Sequence, residues 1–210
     1  MNFRLLLAFG CALLAGAAAR ADFTYQFADS TGAAANTFSV QQGATVDVRV
    51  YILATGSDTL TNNGLTAAGV TLNTTSPGVA NVTAVATNTA QFNNGHSTST
   101  GSSASVSAFA GTPVTSSGTG ASDRVLVGTF TFTGATVGQT LTISAVPGLS
   151  PDNVRADNSN IDTQLTNNAA SAFITVTAVP EPGTLALTGT LVLGMTGAAL
   201  RRIRRTAPTA

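Results

Sequence analysis

His96 is the sole histidine of the chain, so a Ser-His-Asp hydrolase or any histidine-based proton transfer would have to run through it. Its neighbours, Asn93-Asn94-Gly95 on one side and Ser97-Thr98 on the other, read as a solvated turn, and no G-x-S-x-G element holds a nucleophile on a strained elbow. A glycosidase needs two carboxyl groups flanking a sugar bond. The carboxylates on offer are aspartates plus the single Glu181, and none stands in an aromatic-rich setting. Trp is absent and the only tyrosines are Tyr25 and Tyr51, so stacking platforms for sugar rings are scarce as well. The densest set of oxygen ligands is Asp152-Asn153, Asp157-Asn158-Ser159-Asn160 and Asp162. A hard cation such as calcium favours such ligands. The spacing lacks the central glycine and terminal glutamate of an EF-hand loop, and Asx-turn chemistry accounts for the same residues. Asp152, Asp157 and Asp162 therefore stand as a calcium candidate beside a plain turn. The expectation is a non-enzymatic protein with no cofactor.

Strands must position whatever this chain presents. Val46, Val48, Val50 and Ile52 share one face of the segment 45–53 while Asp47, Arg49 and Tyr51 share the other, the period of a strand with one side buried. The run Phe23 to Phe27 alternates in the same way. Further strands are expected at 36–40, 69–73, 81–86, 105–110, 124–133, 139–146 and 172–178. Short strands parted by Gly, Asn, Ser and Pro clusters predict an all-β fold, an antiparallel β-sandwich of jelly-roll or Ig-like type, over 22–178. Of the 158 residues from Asp22 to Val179, 46 are Ser or Thr. Hydroxyls must cover much of the solvent face, either as ordinary strand and turn chemistry or as a sugar-facing or sugar-bearing surface. Thr129, Thr131 and Thr133 recur along one strand face, as an ordinary exposed face or an ice-contacting array would place them.

The body carries Arg49, Arg124 and Arg155 against eight aspartates, a net charge of −5, and Lys is absent. That balance excludes nucleic acid as a partner, since phosphate neutralisation needs basic patches. The only cysteine, Cys11, lies in the N-terminal apolar run, so the body has neither disulfide nor thiolate ligand. Val40-Gln41-Gln42-Gly43-Ala44-Thr45 resembles the glycine turn and second strand of cohesin-like and carbohydrate-binding-module-like sandwiches. The stretch 124–146, RVLVGTFTFTGATVGQTLTISAV, resembles their closing hairpin. The resemblance spans most of 23–146. It departs from cohesins in its low charge and its Ser/Thr/Gly-rich stretch 93–120, so dockerin binding is not carried over.

Residues 1–21 have the order of a secretory signal: Arg4, an apolar run from Leu5 to Gly16, then Ala19-Arg20-Ala21, with cleavage expected before Asp22 by signal peptidase. The residues before Cys11 lack the leucine of a lipoprotein box. At the other end, Val179-Pro180-Glu181-Pro182-Gly183 interrupts regular structure. Thr184 to Leu200 follows as seventeen uncharged residues, enough for a single short transmembrane helix. Arg201, Arg202, Arg204 and Arg205 then read as a stop-transfer cluster kept on the cytoplasmic side, which leaves the body facing away from the cytoplasm. Pro-Glu-Pro, span and arginine cluster together resemble the PEP-CTERM sorting signal of Gram-negative bacteria over 179–210. That resemblance implies that Pro180, Glu181 and Pro182 are the recognition motif of an exosortase. It implies an inner-membrane-anchored precursor that ends at the cell surface or in an extracellular, exopolysaccharide-linked biofilm matrix. A carbohydrate-binding or adhesion module is the second reading, and a secreted hydrolase the third.

Overall fold

A computed structural model of the chain describes residues 22–55, 59–62, 64–100, 102–116, 123–148, 154–156 and 159–180. All nine expected strands are present, and in most of them period-two alternation becomes burial; the strand at 81–86 is the exception, with no buried residue among those six. In β3 (Thr45–Thr55) Val48, Val50 and Ile52 are fully buried while Asp47, Arg49 and Tyr51 look outward. The same division holds along β8 (Arg124–Gly134), whose Val125, Val127, Phe130 and Phe132 enter the core and whose Thr129, Thr131 and Thr133 do not. Strands β1 (Asp22–Ala28), β3, β8 and β5 (Ala80–Thr87) form sheet A in the order β1-β3-β8-β5, all antiparallel.

Sheet B runs β6 (Asn94–Thr100), β7 (Ser103–Val114), β4 (Leu65–Thr74), β9 (Thr140–Pro147), β12 (Ala170–Thr177), β2 (Thr37–Gln41). One edge of β4 is covered by β7 from Leu65 to Asn73. Two strands share the other edge: β9 pairs Val70 to Thr74, and the two-residue β10 (Arg155–Ala156) pairs Leu65 and Ala67 before turning back to β11 (Ser159–Asn160). Val70, Leu72, Val106, Leu141, Ile143 and Ile174 from sheet B meet Phe130, Phe132 and the β3 valines from sheet A in one continuous core. Each such side chain contributes about 1.5–3 kcal/mol by leaving water. This is the face-to-face packing of a sandwich. Two short helices, α1 (Thr59–Asn62) and α2 (Asp162–Asn167), close its ends, α2 through the buried Leu165.

Several sequence expectations need correction. The 124–146 stretch is no hairpin: β8 belongs to sheet A and β9 to sheet B, so the two lie in opposite layers and do not pair. The reason lies in the turn, whose backbone is bound to distant segments. Gly134 N–H donates to the Ala44 carbonyl, Ala135 and Thr136 N–H donate to that of Val79, and Gly138 N–H donates to that of Val176. The sheets are also not wholly antiparallel, since β12 pairs β2 in parallel from Phe173↔Thr37 to Thr177↔Gln41. His96 lies on a strand, β6, not in a turn. Among the described residues no helix is long and apolar enough to cross a membrane; the expected span 184–200 lies outside them, as do the signal residues with Ala19 and Ala21.

Candidate functional site

The outer face of sheet B is an organised surface, and its chemistry follows from strand register. Successive residues point to opposite sides of a sheet. With Val106, Val70 and Ile143 turned inward, the positions between them must face out. Across one row Thr98, Ser105, Thr71 and Val146 stand side by side, and across the next Thr100, Ser103, Asn73, Ser144 and Ser171. Further along the face, Phe173 stands between Thr142 and Thr37, and Thr175 between Thr140 and Ser39. Hydroxyl pairs link the strands, Thr98 to Ser105 at 2.6 Å and Thr140 to Thr175 at 3.1 Å. The Thr71 hydroxyl is buried on this face without a hydrogen-bond partner. No outward position of β2, β4, β7, β9 or β12 is charged; His96 on β6 and Arg155 on β10 stand at the margins. Two phenyl rings are exposed on the same face, Phe109 at 39% and Phe173 at 42%, which is unusual for large apolar side chains in an otherwise hydroxylated surface.

Sheet A carries a different grouping. The Arg124 guanidinium lies 4.3 Å from the Tyr51 ring centroid, a cation–π distance, and donates to Gln26 Oε1 and, at 2.5 Å, to the Gly32 carbonyl. The 29–33 loop is clamped there from within. Asp29 Oδ1 accepts from the Thr31 hydroxyl at 2.6 Å, the Thr31 N–H at 2.9 Å and the Ala33 N–H at 3.0 Å. The Thr31 hydroxyl, seconded by those amides, holds the Asp29 carboxyl below the usual carboxylate range. Gly32 sits at φ +90°, and a Cβ there would stand 3.2 Å from the Tyr51 hydroxyl. On the same face Thr131 donates to Asp47 at 2.7 Å and the Thr133 hydroxyl pairs with that of Thr83 at 3.0 Å, so two of the three recurrent threonines are engaged within the protein.

A buried polar cluster joins α1 to the start of β8. Asp123, 1% exposed, accepts from the Thr61 hydroxyl at 3.1 Å and from the Ser116 hydroxyl. This resembles a catalytic grouping only in residue types, because His96 lies on β6, opposite Ser107 of β7 and away from any carboxylate in the described ladder. Among the described residues no three His, Cys, Asp or Glu side chains come together as a metal-binding group. Of the calcium candidate, Asp152 and Asp157 lie outside the described residues. Asp162 is used structurally: its carboxylate accepts from the Val154 N–H at 2.9 Å, and its own N–H donates to Asn160 Oδ1 at 2.8 Å. Pro180 is exposed just beyond β12, while Glu181, Pro182 and the arginines 201, 202, 204 and 205 are outside the described residues.

The hydroxyl face was foreshadowed by composition alone. Its gathering on one side of one sheet needs the strand order, whereas the alternation of 105–110 and 171–177 already puts Phe109 and Phe173 on the Ser/Thr side, opposite Val106, Ala108, Ala172 and Ile174.

No family model matches the chain, and no curated protein matches it. Among solved structures it is similar to the cohesin module from a Clostridium perfringens family 33 glycoside hydrolase, with TM-score 0.50 and 8% identity, covering 76% of this chain and all of that module (100%). It also aligns with CaCohA2 from Clostridium acetobutylicum at TM-score 0.48 and 17% identity, covering 74% of this chain and 91% of that one. The third cohesin ScaC of Acetivibrio cellulolyticus, solved in complex with the ScaB dockerin, aligns at TM-score 0.47 and 18% identity, covering 74% and 99%. The body of the chain is a cohesin-like β-sandwich.

Proposed function

We propose that this protein is a non-catalytic adhesion module presented outside the cytoplasm, and that the outer face of sheet B is the surface by which it holds neutral extracellular polysaccharide. The observation that carries the reading is the uncharged array of hydroxyls, with Phe109 and Phe173 exposed within it. Alternating hydroxyl donors and acceptors match a hydroxylated polymer, and a phenyl face accepts the apolar side of a sugar ring. A cohesin-like scaffold fits a binding role, with the face and not a cleft as the working part.

Delivery would come from the ends. Residues 1–21 act as a signal peptide, the tail anchors the precursor in the inner membrane, and exosortase processes it at Pro180-Glu181-Pro182, releasing the module to the cell surface or matrix. A second reading, recognition of a protein partner, is favoured by the cohesin-like fold, since the ScaC cohesin was solved with a dockerin.

Glycan-array binding of the purified protein, beside a Phe109→Ala/Phe173→Ala double variant, tests the main reading. Retention of neutral glycans by the parent and at least tenfold weaker retention by the variant is expected. A parent that holds no glycan while capturing a protein from the same cell envelope would replace it with the second reading.

A further inference from the structure

Among the described residues, most sheet edges in this sandwich are shielded, and one is not. The free edge of β1 is covered by the 34–36 segment and by α2's end: Ala35 N–H donates to the Phe27 carbonyl at 3.0 Å, and Asn168 Nδ2 donates to the Phe23 carbonyl at 3.1 Å. The β5 edge is broken by a register shift between Val82 and Ala84. β2 has five residues and β11 has two. These are the ordinary ways in which natural sheets blunt their edges. β6 has none of them. Its seven residues, Asn94-Gly95-His96-Ser97-Thr98-Ser99-Thr100, pair in unbroken register with β7 alone. All seven are exposed, and none is proline, lysine or an acid. Among the described residues, no backbone group outside β7 hydrogen-bonds to β6. The strand also packs closely on the layer below, since a Cβ at Gly95 would come within 2.5 Å of the Thr87 hydroxyl on β5.

We propose that β6 is a self-association edge that pairs antiparallel with β6 of a second copy of this chain about a two-fold axis through Ser97. The strand's own sequence argues for a copy of itself. An antiparallel dyad at Ser97 opposes Gly95 to Ser99, His96 to Thr98 and Asn94 to Thr100 of the second copy, so every residue meets one from its own face of the sheet. Neutrality removes the like-charge opposition that identical strands otherwise suffer. Whichever alternate residues aim their N–H and C=O groups outward, 94/96/98/100 or 95/97/99, the set is symmetric about Ser97, so the ladder closes in both cases. The two eight-stranded B sheets then become one continuous surface. This inference stands apart from the polysaccharide reading, since either can hold without the other.

The test is disulfide trapping in the full-length chain with Cys11→Ser, so that the introduced thiol is the only one. Ser97→Cys places two thiols on the dyad, within the 4.4–6.8 Å Cα separation that a disulfide spans, given about 4.5–5.5 Å between opposed residues. Mild oxidation is expected to yield a covalent homodimer at least tenfold faster than Ser39→Cys, an exposed control on β2. Sedimentation of the parent against Ser97→Lys supplies the second measurement. A tenfold or greater loss of association with unchanged circular dichroism is expected, because two ammonium groups would face each other across the axis. Trapping of Ser97→Cys no faster than the control, association indifferent to Ser97→Lys, or adducts with a foreign protein in place of the homodimer would each overturn the proposal.

Discussion

The Tyr25 hydroxyl donates a 2.6 Å hydrogen bond to the Gly69 carbonyl, crossing from β1 in sheet A to β4 in sheet B inside the core. Gly69 falls between Ala67, where β10 pairing ends, and Val70, where β9 pairing begins, an interval in which that edge of β4 has no strand opposite it. A phenol is therefore used where a ladder partner is missing. Tyr25→Phe keeps the ring and strands the carbonyl, which costs about 1–3 kcal/mol for a buried unsatisfied group. Urea denaturation of the variant is expected to show a lower midpoint with an unchanged m-value.

Burial, helped by the nearby Asp162 charge, pushes the Tyr25 phenol far above its ordinary value of 10.0. The neutral form is thus the one that the folded state tolerates. Stability from this group is complete below pH 10 and falls as pH rises beyond it, by about 1.4 kcal/mol per unit, because only the unfolded chain releases the proton. Absorbance at 295 nm should show one tyrosine ionising together with unfolding, a component missing from Tyr25→Phe.

Asp29 has the opposite sign. Its carboxylate is held below the usual range by the Thr31 hydroxyl and the loop amides, so its contribution is present above the ordinary carboxylate pKa and lost as pH falls through the lowered value. Protection of the Thr31 and Ala33 amides, taken relative to the intrinsic exchange rate at each pH, is expected to fall on acidification, and Asp29→Ala should show the lowered protection already at neutral pH. Gly32→Val should disturb the same loop, through strain at positive φ and contact with the Tyr51 hydroxyl.

The Thr71 hydroxyl, buried without a partner on the outer face of sheet B, makes the reverse experiment possible. Thr71→Val keeps the branched shape that suits a strand and removes the unsatisfied oxygen. A gain of about 1 kcal/mol in denaturant stability is expected. A loss would mean that a water completes the site.

How much of this was legible beforehand depended on whether a residue's role lay in its own strand or in its neighbours. The faces of β3 follow from Val48, Val50 and Ile52 alternating with Asp47, Arg49 and Tyr51, and every expected strand of that kind is present. β6 escaped notice because all of its residues are polar and exposed, so it has no apolar period to detect; what makes it a strand is β7 beside it. The 134–139 turn reads the same in sequence whether its strands pair or oppose each other, and only its bonds to Ala44, Val79 and Val176 decide. Likewise the Ser/Thr surplus announced a hydroxylated surface, while the register of five strands was needed to show that these groups share one face with Phe109 and Phe173.

The parallel partnership of β12 with β2 bears on mechanics. β12 is flanked on both sides, by β9 and by β2, and the chain continues from Thr177 directly toward its C-terminal end. Tension entering from that end runs along the strand, so it loads both flanking ladders in shear and must strain many hydrogen bonds together before any yields. A terminal strand at a margin would instead peel open one rung at a time. The geometry thus gives the module a grip suited to being tugged by whatever lies beyond residue 180.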